Sequence, residues 1–202
     1  MLAFGIGLAA SAQAQTRQPA RAASESERRV ALVIGNGAYT DGELKGAVDD
    51  ARDVTQTLRE LRFDVIHKEN LKHDDMKRAI RAFGAKLRGG GGVGLFYYTG
   101  HSLQVKGDNY LISVNSSPVI EEEVEFESVN ARLVLAQMES ARNGLNIMIL
   151  DASRHNPFPR SLRSASAGLA RMPAPGGTLI AYATSPDAVT SERGDAGSVY
   201  TR

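Results

Sequence analysis

His101 stands about 50 residues ahead of the run Asp151-Ala152-Ser153-Arg154. An imidazole takes up and returns a proton near neutral pH. A carboxylate and a hydroxyl brought beside it are residue types that acid–base and nucleophilic chemistry use. Both points follow strongly apolar runs, Val93-Gly-Leu-Phe-Tyr-Tyr98 and Leu145-Asn-Ile-Met-Ile-Leu150. A serine hydroxyl holds its proton tightly and needs a base that a third group orients. No convincing third member is visible in the sequence, and His155, two residues beyond Ser153, is a weak second base. The chain has no cysteine, which excludes disulfides, thiolate zinc sites, iron–sulfur clusters and a cysteine nucleophile.

The elements that must position these residues can be read from hydrophobic patterning. Val30-Ala-Leu-Val-Ile34 is a continuous apolar run bounded by Gly35-Asn36-Gly37, the mark of a strand buried on both faces. Asp49 to Leu61 reads as a helix with Val54, Leu58 and Leu61 on one face, Asp49 and Asp50 standing where a cap and first-turn acids belong. Phe63–Ile66 reads as a short strand. Asp74–Leu87 reads as a helix with Met76, Ile80, Phe83 and Leu87 inward, stopped by Gly89–Gly92. Val93–Tyr98, Tyr110–Val114, Leu145–Leu150 and Thr178–Ala183 read as further strands, and Val129–Ala141 as a helix. Strands alternating with helices predict an α/β fold, a mostly parallel sheet flanked by helices. In such sheets the ligand crevice lies beyond the carboxyl ends of the strands, where His101 and Asp151-Ala152-Ser153 fall. Arg154–Gly177 is an aperiodic stretch with four prolines, long for a connection without a function or mobility of its own.

With these motifs in place, the chain resembles the bacterial caspase-like peptidases, the orthocaspase and metacaspase relatives. The resemblance rests on Val30-Ala-Leu-Val-Ile-Gly-Asn36, Leu44-Lys45 through Asp50-Ala51, Gly94-Leu-Phe-Tyr-Tyr98, Gly100-His101, Asn109-Tyr-Leu-Ile112, Asp151-Ala152 and Thr178-Leu-Ile-Ala-Tyr182. It covers essentially everything from Arg29 onward. It implies a caspase–haemoglobinase-like three-layer sandwich over residues 29–202, made of a large-subunit part and the interrupted start of a small-subunit part. It also implies endopeptidase activity by a His–Cys dyad, with Arg or Lys preferred before the scissile bond and calcium as a common activator. Carried over by position, His101 is the general base and Ser153 stands at the nucleophile. Asp151 lies in the primary specificity pocket, and backbone N–H groups near Ser102 and Ser153 form the oxyanion hole.

The departures fall on those same positions. Ser153 replaces the family's cysteine, Ser102 the glycine after the histidine, Ser113 a proline and Asn115 an acid. Free cysteine titrates near about 8.5, so a modest push gives thiolate, whereas serine needs far more help. Ser102 would strain the turn if that backbone needed positive φ. The reading that follows is an impaired pseudo-peptidase that still binds Arg- or Lys-containing peptides or modulates an active caspase-like paralogue. Two alternatives stand beside it: a working serine-type hydrolase using His101 and Ser153, and an engineered Cys-to-Ser form of an active peptidase.

The remaining features have plainer readings. Glu121, Glu122, Glu123, Glu125 and Glu127 form an acidic patch, a weak calcium candidate or a solvated loop leading into a helix. Arg160, Arg163 and Arg171 are candidate cleavage sites or solvated arginines. Gly35-Asn-Gly37 lacks the third glycine of a dinucleotide fingerprint and reads as a turn. The four histidines lack metal spacing, and His67 and His73 read as surface residues. Lys and Arg total 24 against 23 Asp and Glu, a balance that gives no reason to expect nucleic acid as a partner. Leu2–Ala10 is too short to span a bilayer and runs into Ser11-Ala12-Gln13-Ala14, a small-x-small pattern. Residues 1–14 are therefore expected to be a signal peptide and 15–28 a polar linker, with export to the bacterial periplasm or outside the cell.

Overall fold

The computed structural model describes residues 28–89, 92–152 and 168–183. In chain order the elements are β1 (Arg28–Gly35), α1 (Lys45–Glu60), β2 (Asp64–Glu69), α2 (His73–Leu87), β3 (Gly92–Thr99), β4 (Ser102–Val105), β5 (Asp108–Ile112), α3 (Glu121–Glu127), β6 (Ser128–Asn130), α4 (Arg132–Ser140), β7 (Leu145–Asp151) and β8 (Thr178–Tyr182). Five strands form one parallel sheet in the order β2-β1-β3-β7-β8, and β4-β5-β6 form a small antiparallel sheet beside it.

The unbroken apolar runs of the inner strands follow from this layering. Successive side chains of a strand point to opposite faces, and both faces here carry helices. Val30, Leu32, Ile34, Phe96, Tyr98, Met148 and Leu150 pack with Met76, Ile80 and Phe83 of α2 and Val134 and Met138 of α4. Ala31, Val33, Leu95 and Tyr97 pack on the other face with Ala51 and Leu58 of α1. The result is the expected three-layer α/β sandwich.

Several boundaries depart from the patterning. Helix α1 begins at Lys45, so Asp49 and Asp50 are not cap residues; they lie in its second turn, and Asp50 is buried. The start is set instead by the preceding loop, where Leu44 N–H donates to the Gly37 carbonyl at 2.9 Å. That approach needs glycine, because a Cβ at Gly37 would lie 2.4 Å from the Leu44 oxygen. Leu61, expected on the inner face, falls past the helix end and is 52% exposed. The acidic patch forms helix α3, and β4 and β6 are strands too short to show a period. Part of the aperiodic 154–177 stretch is core: Leu169 and Met172 are buried. An extended segment without a repeat can pack when other elements supply its hydrogen bonds.

His67 and His73 are half-buried rather than surface residues. His67 ties the edge strand β2 to α1: its Nδ1 lies 2.5 Å from Thr55 Oγ1 and its Nε2 2.9 Å from Glu69. Glu69 in turn accepts two bonds from the Arg52 guanidinium, at 2.9 and 3.1 Å. Arg52 first, with help from His67, holds the Glu69 carboxyl below its ordinary value of 4.5 despite partial burial. A depressed folded value contributes stability that is complete above the unfolded value and is lost as pH falls through the folded one. Glu69→Gln should therefore lower the urea midpoint at about pH 6, and the gap from the native protein should close towards about pH 3. A gap that is independent of pH would refute this role for the pair.

Candidate active site

Strands β3 and β7 are neighbours in parallel register, with Thr99 opposite Asp151. The chain therefore leaves both strands at the same sheet edge, and Gly100-His101 and Ala152 come off side by side. His101 is buried, and its Nε2 lies 2.6 Å from the Gly42 carbonyl oxygen. A carbonyl only accepts, so Nε2 carries the hydrogen and the lone pair of the neutral ring sits on Nδ1. The Tyr39 ring packs against the imidazole, centroids 4.5 Å apart and planes at 53°.

A buried polar knot fixes the backbone at this corner. His101 N–H donates to the Tyr39 hydroxyl at 3.0 Å. Tyr39 Oη lies 3.1 Å from the Ile112 carbonyl, and Tyr98 Oη lies 2.8 Å from the His101 carbonyl and 2.9 Å from that of Ile112. Asn36, fully buried after β1, donates to the same Ile112 oxygen at 3.0 Å and accepts from Leu71 N–H at 2.9 Å. Gly100, with φ of +154°, passes so close that a Cβ there would lie 2.6 and 2.7 Å from the Tyr98 and Tyr39 hydroxyls. The positive φ thus falls on Gly100, not on Ser102, which is an unstrained residue of β4.

Ser102 opens β4, and its hydroxyl donates to the carbonyl of Ala152, the residue before position 153. Asp151 is buried at the end of β7, with Tyr97 Oη 3.4 Å from its Oδ2. Ser113, also buried, donates from Oγ to the Glu127 carbonyl at 3.3 Å, and Asn115 Oδ1 accepts from the first amide of α2, His73 N–H, at 3.1 Å. The structure thus gathers His101, Ser102 and Asp151 at one corner. Ser153 and His155 lie outside the described residues, as do Arg160, Arg163 and the expected signal segment 1–14.

Comparison with known proteins shows the family of the domain. The caspase domain model of the Peptidase C14 family matches residues 28–202. The chain belongs to the caspase-domain family. It is 31% identical over 127 residues to the human mucosa-associated lymphoid tissue lymphoma translocation protein 1, covering 62% of this chain and 15% of that protein. The mouse homolog is 30% identical over 141 residues, 69% of this chain and 16% of the relative. The chain therefore spans only about a sixth of the length of these curated relatives. Among solved structures, the Drosophila initiator caspase Dronc superposes with a TM-score of 0.53 at 14% identity, over 90% of this chain and 69% of the other. That likeness concerns the fold.

Within this caspase domain, sequence reasoning missed the group that orients the histidine. It is the Gly42 main-chain carbonyl, which no side-chain pattern can reveal because every residue carries one. Tyr39 was missed as well, since an aromatic in a loop gives no sign of meeting a residue 62 positions away. The glutamates named for calcium do not form a cation site. Among the described residues no group of three or more His, Cys, Asp or Glu comes together around a cation position. In helix α3, Glu121, Glu122 and Glu125 lie within about 100° of one another and Glu123 falls on the opposite side. Glu121 faces Lys106 at 3.8 Å, and Glu123 accepts from the Val119 amide at 2.7 Å. Glu127 accepts from the Ser117 amide at 2.7 Å. Arg171 is exposed, between buried neighbours on either side.

Gly100→Ala tests the corner. The added methyl must displace two buried hydroxyls, so thermal unfolding should show a loss of about 2 kcal/mol or more. An unchanged Tm would mean that the two tyrosines do not hold this turn.

Proposed function

We propose that this caspase domain is a peptidase-type site for Arg- or Lys-containing peptides in which Ser153 occupies the nucleophile position and leaves turnover severely impaired. The observation that carries the reading is the bond from Ser102 to the Ala152 carbonyl. It holds the residue next to His101 against the residue next to Ser153, across two adjacent strand ends. In the proposed chemistry His101 Nδ1 takes the proton from the attacking group at position 153 and returns it to the leaving amine. The Gly42 carbonyl keeps Nε2–H in place, and backbone N–H groups near Ser102 and Ser153 receive the developing oxyanion. Asp151 supplies the negative charge that would meet a guanidinium or ammonium in the specificity pocket.

The weak point of such a site is the proton affinity of serine. A thiol near about 8.5 is within reach of an imidazole, whereas a hydroxyl demands a base whose cationic form is strongly stabilised. A neutral carbonyl at Nε2 stabilises imidazolium less than a carboxylate does, which supports impairment. The same carbonyl is nevertheless an orienting third group, and it favours a second reading, a slow serine-type hydrolase. Bacterial origin and export by the 1–14 segment belong to this proposal, as does a natural rather than engineered Ser153. A role beside an active caspase-like paralogue belongs to it too.

Cleavage of Arg- and Lys-terminated reporter peptides by the native chain and by Ser153→Cys, side by side, tests the reading. Rescue by the cysteine variant, at least about 100-fold over the native chain, is expected. Two folded but silent proteins would overturn it. Labelling of Ser153 itself by a fluorophosphonate would instead establish the serine hydrolase.

A further inference from the structure

Among the described residues, the parallel sheet ends on β2. The β2 ladder with β1 runs from Asp64 to Glu69 and continues in the bond from Asn70 N–H to the Gly35 carbonyl at 2.9 Å. In a parallel pair, alternate residues direct both main-chain groups to the same side. Asn70 therefore sets the parity. Asp64, Ile66 and Lys68 face β1, and Val65, His67 and Glu69 turn their N–H and C=O groups away from the sheet. An edge of this kind is a template on which a further strand can form.

The side chains of the same three residues lie on the α1 face. Val65 packs into the core on that side, His67 bonds Thr55, and Glu69 bonds Arg52. The ionisable groups are thus drawn onto the helix and do not lean across the free main chain, the usual way in which an edge is blunted. Between α1 and the edge lies a cavity of about 480 Å³, lined by Arg52, Thr55, Gln56, Arg59, Glu60 and His67. Ligand sites commonly measure about 300–1,000 Å³. Most of its polar groups are committed. Thr55 and His67 hold each other, Arg52 holds Asp49 and Glu69, and Gln56 Nε2 donates to Glu60 at 3.2 Å. Arg59 is exposed, and its guanidinium has no side-chain partner among the described residues. Arg52 stands by Glu69 and Thr55 by His67, so the next turn of α1 carries Arg59 towards the level of Val65.

We propose that the cleft between β2 and α1 takes an extended segment of a partner protein as an added strand of the main sheet, with an aspartate or glutamate of that segment in the cavity on Arg59. An edge strand beside a helix is a layout in which strand addition recurs. Main-chain bonds supply the affinity, and pockets for alternate side chains supply the selectivity. Side chains of the added strand alternate between its two faces, so every second one meets the cavity. Glu60 already holds an amide, which leaves the guanidinium as the uncommitted charge, and a carboxylate can engage it with two parallel bonds. The proposal draws on no residue of the His101 corner.

Octapeptide pools of Val, Thr and Ser with one fixed central residue, titrated against the full chain, provide the test. Fluorescence anisotropy reads affinity and amide exchange reads the site. Pools with Asp or Glu at the centre should bind at least about tenfold tighter than pools with Lys or Arg, and Arg59→Glu should reverse the order. Exchange should slow at Val65, His67 and Glu69 and stay unchanged at Ile66 and Lys68, whose amides already bond β1. Val65→Pro removes an outward donor without breaking the ladder and should weaken every pool about fivefold. If that variant does not fold, the exchange pattern reports the same edge. Absence of binding, an order that Arg59→Glu leaves unchanged, or protection confined to other amides overturns the proposal. Protection of Val65, His67 and Glu69 that rises with protein concentration in the absence of peptide assigns the edge to a second copy and overturns it too.

Discussion

The Ile112 carbonyl is the point on which this domain's candidate corner depends. Asn36 at the end of β1, Tyr39 in the loop that follows, and Tyr98 near the end of β3 all direct donor groups at it. A buried carbonyl without partners is costly, and buried tyrosine and asparagine groups are no less demanding. Each group meets another's requirement, so none can be moved alone. Because β5 also hydrogen-bonds the His101 carbonyl, the knot ties the end of the main sheet to the small sheet and fixes the histidine between them.

Close approach explains why glycine occupies two of the surrounding positions. At Gly37 the α1 entry loop folds back onto its own carbonyl, and at Gly100 the backbone slides beneath two tyrosine hydroxyls. Both sites exclude a Cβ by proximity. The main sheet supplies the rest through register: once β3 and β7 pair with Thr99 opposite Asp151, residues about 50 apart in sequence must emerge together.

Ser102, Ser113 and Asn115 are absorbed into this framework. Ser102 donates to Ala152, Ser113 to Glu127, and Asn115 accepts from the first amide of α2. Each polar side chain satisfies a backbone group.

The layered architecture was legible in the sequence because burial on both faces forces continuous apolar runs, and Val30–Ile34, Val93–Tyr98 and Leu145–Leu150 could hardly be anything else. The candidate corner was legible too, since strand ends are where polar residues follow such runs, and His101 and Asp151 do so. The α1 start was not, because it is governed by a tertiary carbonyl contact at Gly37 rather than by the local acids Asp49 and Asp50. Strands β4 and β6 are too short to carry a period, and the spacing of the glutamates in 121–127 does not show that Lys106 and main-chain amides engage them. What tertiary structure alone decided is the identity of the partners. The Gly42 carbonyl on His101 and the Asn109 amide on Ala170 join segments 59 and 61 residues apart. Both bonds end on backbone atoms, which are the same at every position and so leave no trace in a sequence.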